Sequence, residues 1–173
     1  MQLKKMVLAA TAALTLSYGA ASQAETFAEC VSTDLVKFDG TIVDAALATP
    51  ELSTLVDAVV AAGLVDTLAT AENITVYAPT NDAFGNVPGG ILNAVLGDPA
   101  LLTAVLTYHV SPGKEDPRKY IKGERAPTLA GPSVFFHRIG GQARVNGAAV
   151  SCQGVQTSNG TVWVIDSVLI PRT

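Results

Sequence analysis

The sequence is poor in the residues on which most enzymes depend. It holds two histidines, two cysteines and one tryptophan, and aromatics make up only 6% of it. Neither His109 nor His137 belongs to a His-Glu-x-x-His pattern or lies beside a thiol nucleophile, which removes the usual zinc-hydrolase and cysteine-nucleophile readings. After the first 24 residues there is no Gly-x-Ser-x-Gly elbow, and Gly89-Gly90 lacks the flanking lysine of a phosphate loop. The carboxylate pair Glu115-Asp116 stands in a charged segment and reads as surface, with Asp116 capping Pro117. The expectation is a chain with no catalytic residue, no metal site and no cofactor. Charge is also sparse, at 15%, and the net value is −4, which argues against nucleic acid as a partner.

Long apolar runs are scarce too. One extends from Met6 to about Leu16, behind Lys4-Lys5 and ahead of Ser22-Gln23-Ala24. It is short for a membrane span, and the small residues after it suit a signal peptidase. Residues 1–24 are therefore expected to be a signal peptide of bacterial character, and the mature chain to lack a transmembrane segment. Phe27-Ala28-Glu29-Cys30 does not have the small and aliphatic residues that precede a lipoprotein cysteine. The expected destination is periplasmic or extracellular. What remains, residues 25–173, is enough for one domain with a real core.

For an exported chain, Cys30 and Cys152 most simply form a disulfide that ties an N-terminal segment (25–37) to the late strands. Two free buried thiols are the alternative. Charge is unevenly placed. Residues 25–113 carry eleven acids against Lys37 alone, whereas residues 114–173 carry eight Lys and Arg against four acids. Two differently charged solvated ends satisfy this pattern; so does a basic end that meets an anionic partner.

Helical patterns fill the front half. Thr41 and Asp44 form a capping box ahead of Ile42, Ala45 and Ala46. Thr49-Pro50 opens a helix that carries Leu52, Leu55, Val56 and Val59, and Gly63 stops it. A short turn over Leu64, Val65 and Leu68 precedes a strand at 74–77. Pro88-Gly89-Gly90 reads as a break, followed by helices bearing Ile91 to Leu96 and, from Asp98-Pro99, Leu101 to Leu106. Short strands follow at 134–139, 143–145, 148–150 and 162–165, between the tight-turn pairs Gly140-Gly141, Asn146-Gly147 and Asn159-Gly160. The class is α+β.

The stretch ITVYAPTNDAF, 74–84, compresses this grammar. Pro79 ends the strand, Thr80 or Asn81 caps the next helical turn, Asp82 lies within that turn, and Phe84 anchors it in the core. The segment KEDPRKYIKGER, 114–125, groups Lys114, Arg118, Lys119, Lys122 and Arg125. If Asp116 caps a turn there, Arg118 and Lys122 share a face. That patch suits an acidic polysaccharide, a phospholipid surface or a protein partner, and it equally suits a solvated loop. Strand alternation should point Phe135 and Phe136 to opposite faces, leaving one exposed. Phe135, Phe136 and Trp163 are the aromatics expected at any apolar-ligand site.

Three of these motifs, in order, resemble those of the fasciclin domain family: TVYAPTNDAF at 75–84, YHV at 108–110, and NGTVWVIDSVLIP at 159–171. The similarity spans roughly residues 38–171, within a domain expected over 38–173. One departure is Trp163, where the second signature commonly has histidine. The resemblance implies a fasciclin-like α+β fold, a wedge of short β-strands with helices packed alongside. It implies a non-catalytic adhesion or interaction module that recognises a cell-surface protein or polysaccharide. Tyr108 and His109 match the Tyr-His pair that animal members are thought to use in adhesion, although such a pair leaving an apolar helix also fits a core aromatic and a hydrogen-bonded histidine. Asn159, Gly160 and Asp166 belong to the second signature and read as structural. Some fasciclin-type proteins are associated with carotenoids, so a carrier of an apolar small molecule, a carotenoid or lipid, is the alternative function.

Overall fold

The structure, a computed structural model, describes residues 27–120 and 123–171. The expected signal peptide, 1–24, and Lys122 lie outside the described residues. In chain order the elements are α1 (Phe27–Ser32), β1 (Val36–Lys37), α2 (Ile42–Leu47), a 3-10 turn (Pro50–Leu52), α3 (Ser53–Ala61), α4 (Val65–Thr70), β2 (Ile74–Pro79), α5 (Asn81–Gly85), α6 (Gly89–Gly97) and α7 (Pro99–Tyr108). The later elements are β3 (Val110–Pro112), β4 (Arg125–Ala126), β5 (Val134–Ile139), β6 (Gln142–Val145), β7 (Ala148–Ala149), β8 (Val155–Gln156) and β9 (Gly160–Ile165).

Local chemistry sets the helix starts. Thr41 accepts the Asp44 N–H while the Asp44 carboxylate accepts the Thr41 N–H, the reciprocal box that satisfies two orphan donors of α2. Of the two residues able to cap α5, Thr80 does so, its hydroxyl accepting the Ala83 N–H at 3.2 Å. Asp98 accepts from Ala100 and Leu101 at the start of α7. At the expected break Pro88-Gly89-Gly90, Pro88 is instead the N-cap of α6 and the two glycines open its first turn, where N–H groups have no intrahelical partner. The turn pairs Gly140-Gly141 and Asn146-Gly147 both have positive φ at each residue, as two-residue hairpins require.

The strands make a five-stranded sheet, β1-β8-β9-β2-β3, and a four-stranded one, β4-β5-β6-β7. At the centre of the larger sheet β2 runs parallel to β9, with Thr75 opposite Thr161 and Tyr77 opposite Trp163. The first and third sequence motifs thus lie side by side. Every residue of β2 is buried, and its alternation sorts side chains into two cores. Ile74, Val76 and Ala78, with Val162 of β9, pack under α2, α3, α4 and α7; Tyr77, Trp163 and Ile165 pack against Val134, Phe136 and Val145 of the smaller sheet. Cys30 and Cys152 form a disulfide, S–S 2.10 Å, that ties α1 to the segment before β8.

Candidate functional site

α7 ends by burying both members of the Tyr-His pair. Tyr108 is 4% exposed and His109 1%. The Tyr108 hydroxyl donates to the Ser133 carbonyl at 3.2 Å and accepts the Asn146 amide at 2.7 Å. His109 is fixed in one tautomer by its neighbours. The Val105 carbonyl, 2.7 Å away, can only accept, so Nδ1 carries the proton; the Leu169 N–H, 2.8 Å away, can only donate, so Nε2 is the acceptor. Burial pushes the imidazole pKa down to about 4, against the opposing pull of the Val105 bond. His109 therefore works as a neutral clamp on the C-terminal segment.

That segment, residues 167–171, forms one wall of an open groove of about 1010 Å³. The opposite wall is the outer face of the smaller sheet. Arg125 of β4 sits across from Phe135 of β5, and His137 follows two residues on, on the same face. Tyr108, Ser133 and Asn146 lie between the walls. No Asp or Glu is among the described residues that line it. Asp166, at the edge, is engaged by the Ala149 N–H and the Ser167 hydroxyl.

The alternation expected at 135–136 is present: Phe135 is 51% exposed in the groove and Phe136 is 1% exposed in the core. Phe136 stacks on Tyr120 at 4.3 Å between centroids and meets Tyr77 edge-on. Trp163 is fully buried and donates its Nε1–H to the Glu115 carbonyl at 3.0 Å. Phe136 and Trp163 thus share the second core, and of the three aromatics Phe135 is the one that faces solvent.

Arg118 departs further from the surface patch read in the sequence. It is 4% exposed, its guanidinium lies 4.6 Å from the Trp163 ring centre, and Nη1 contacts the carbonyls of Cys30, Thr33 and Cys152 at 2.7 to 3.0 Å. Asp116 completes a bidentate pair with it. Burial raises the Asp116 pKa, but the Arg118 hydrogen bonds and charge outweigh that and hold it below the usual carboxylate value. Because residues 117–119 form a turn and not a helix, spacing of four does not place Arg118 on a solvent face. Lys119, with a side chain 70% exposed, remains at the surface.

The other motif residues are tied inward. Asn81 bridges α5 to the preceding 3-10 turn, accepting from Thr54 N–H and donating to the Pro50 carbonyl. Asp82 is exposed in the first turn of α5, Phe84 is buried, and Pro79 pairs with Ile165. Asn159 accepts from Ile42 N–H and donates towards the carbonyls of Leu68, Ala69 and Ala71. Gly160 is not half of a tight turn but the first residue of β9, where a Cβ would lie 2.1 Å from the Ile74 carbonyl oxygen. Sequence reading missed Asn146 and the 167–171 wall as parts of a site, since Asn146 read only as a turn residue and 167–171 only as the end of the third motif.

An apolar cavity of about 100 Å³ lies between α2, α3, α4 and β2, with exposed Leu47 and Val60 among its lining residues. Among the described residues no three His, Cys, Asp or Glu side chains gather as metal ligands, and no single helix is long and apolar enough to cross a membrane.

A fasciclin domain family model matches residues 50–171. The chain is 43% identical over 133 residues to the protein sll1483 of Synechocystis, an alignment covering 76% of this chain and 73% of that one. It is 39% identical over 135 residues to the cell surface glycolipoprotein MPB83 of Mycobacterium bovis, covering 75% of this chain and 60% of the relative. A solved FAS1 domain pair from the insect cell adhesion molecule fasciclin I superposes with a TM-score of 0.63 at 16% identity, over 76% of this chain and 51% of that one.

Proposed function

Because the chain belongs to the fasciclin domain family, we propose that it is an exported, non-catalytic interaction module that recognises a component of a cell surface or matrix. The observation that carries this reading is the open groove, in which Phe135 and Arg125 are exposed while the surrounding motif residues are locked in internal hydrogen bonds. Recognition would then rest on the groove walls and on Lys119, with Tyr108 and His109 acting through the shape they hold. A cell-surface relative and the disulfide, which suits an oxidising compartment, support export.

The apolar cavity favours a second reading, a carrier of an apolar small molecule. At about 100 Å³ it accommodates a group smaller than benzene-sized guests of engineered cavities, so a carotenoid or lipid chain would have to part α2 from α3 at Leu47 and Val60. The experiment that separates the readings uses protein purified from its own host. Co-sedimentation with host envelopes, a colourless spectrum and an empty solvent extract support recognition. A near-stoichiometric extracted lipid or pigment, without envelope binding, overturns it in favour of the carrier.

A further inference from the structure

Resting on the recognition reading, we propose that the groove between the outer face of β4 and β5 and the 167–171 segment binds an acidic polysaccharide, through its carboxylate-bearing sugar units. Three observations converge on this occupant. The first is charge. Arg125 and His137 face the groove, no described lining residue is acidic, and Asp166, next to the lining residue Ser167, already accepts two hydrogen bonds. Of the eight Lys and Arg after position 113, Arg125 is the one among the described lining residues. A cleft of single sign raises the local concentration of counter-charged ligand. A guanidinium fork also matches a carboxylate in two parallel hydrogen bonds.

The second observation is the pairing of that charge with an aromatic face. Phe135 is directly opposite Arg125 in the β4–β5 register and stands half exposed. A sugar ring presents polarised C–H groups on its flat face, which suit the electron-rich face of a phenyl ring. A uronate unit lying on Phe135 would direct its carboxylate towards a neighbouring cation. The third is the polar character of the rest of the groove. Asn146, Ser133 and Ser167 line it, offering amide, carbonyl and hydroxyl groups to sugar hydroxyls. A protein partner would ask for a larger and drier central patch, and a lipid surface for more than the isolated side chains of Phe135 and Ile170.

His109 gives the site its rigidity. By accepting the Leu169 N–H, it holds the 167–171 wall at a fixed distance from the sheet without touching the ligand. His109 is accordingly a positioning residue.

The test titrates the full exported chain with sodium alginate as the polyuronate and with dextran as a neutral polymer, by calorimetry at low and high salt. Saturable alginate binding that weakens with salt, with no dextran binding, is expected. Phe135→Ala and Arg125→Gln should each weaken it by roughly tenfold, Phe135→Tyr should restore it, and Lys37→Gln, exposed on β1 and outside the groove, should leave it unchanged. Absence of alginate binding overturns the proposal, as does equal binding of dextran or affinity insensitive to both groove variants. If Phe135→Ala proves unstable, Arg125→Gln decides alone. Envelope co-sedimentation keeps the two levels apart. Variants that still bind envelopes fully overturn the polysaccharide groove and leave the recognition reading standing, whereas wild-type protein that binds no envelope overturns both.

Discussion

The Leu169 N–H donates to Nε2 of His109 at 2.8 Å, across 60 residues of sequence. The bond exists only while the imidazole is neutral, because a proton on Nε2 would face another donor. The folded pKa of about 4 lies below the ordinary 6.5, so between these values the unfolded chain binds more protons than the folded one. Stability from this group is fully present above pH 6.5 and is lost as pH falls towards 4. The unfolding free energy of the wild type, from urea titrations, should therefore drop through this window, by up to roughly 3 kcal/mol from this group. The His109→Gln variant should be less stable at neutral pH and show a flatter profile. Equal slopes in both proteins would contradict this role.

Arg118 and the disulfide should behave as one unit. The guanidinium reaches the carbonyls of both Cys30 and Cys152, so it anchors the backbone that the sulfurs join. Losing the crosslink across a separation of 122 residues should cost roughly 5 kcal/mol at most by chain entropy. Arg118→Ala, which abandons Asp116 and three carbonyls, should cost roughly 3–5 kcal/mol. The double variant should lose less than the sum. Unreduced protein should show no alkylatable thiol by mass spectrometry.

At the start of β9 the tolerance for change should be very low. Gly160→Ala places a methyl on the Ile74 backbone carbonyl, which cannot rotate away, and a loss of more than about 3 kcal/mol or failure to fold is expected. Asn159→Asp replaces the donor that faces three carbonyls of the α4 end with an acceptor, at a cost of roughly 2–4 kcal/mol. Thermal melts of both proteins check this.

Adjacent phenylalanines should diverge. Phe136→Ala opens a hole beside Tyr120, Tyr77 and the second core and should cost roughly 3–5 kcal/mol. Phe135→Ala should change stability by no more than about 0.5 kcal/mol. Chemical denaturation of the pair distinguishes a groove residue from a core one.

What was legible in the sequence was mostly local. The Thr41–Asp44 box, the hairpin pairs at 140–141 and 146–147 and the two-sided alternation at 135–136 follow from short-range backbone chemistry, and the structure has each of them. Gly89-Gly90 misread as a break because glycine in a first helical turn carries little penalty that a sequence pattern registers. Long-range geometry was not legible. Arg118 sits among basic neighbours in sequence, yet Trp163, the disulfide carbonyls and Asp116 draw it inside. Its fate depended on residues up to 88 positions away. The groove was equally hidden, since one wall belongs to β5 and the other to the tail that His109 holds.

The most direct test of the account is amide chemical-shift mapping of isotope-labelled protein titrated with solubilised host envelope polysaccharide. The account predicts shifts concentrated at residues 133–137, 146–148 and 167–171, with α2 and α3 silent. Shifts centred on Leu47 and Val60, or none at saturating polymer, would contradict it.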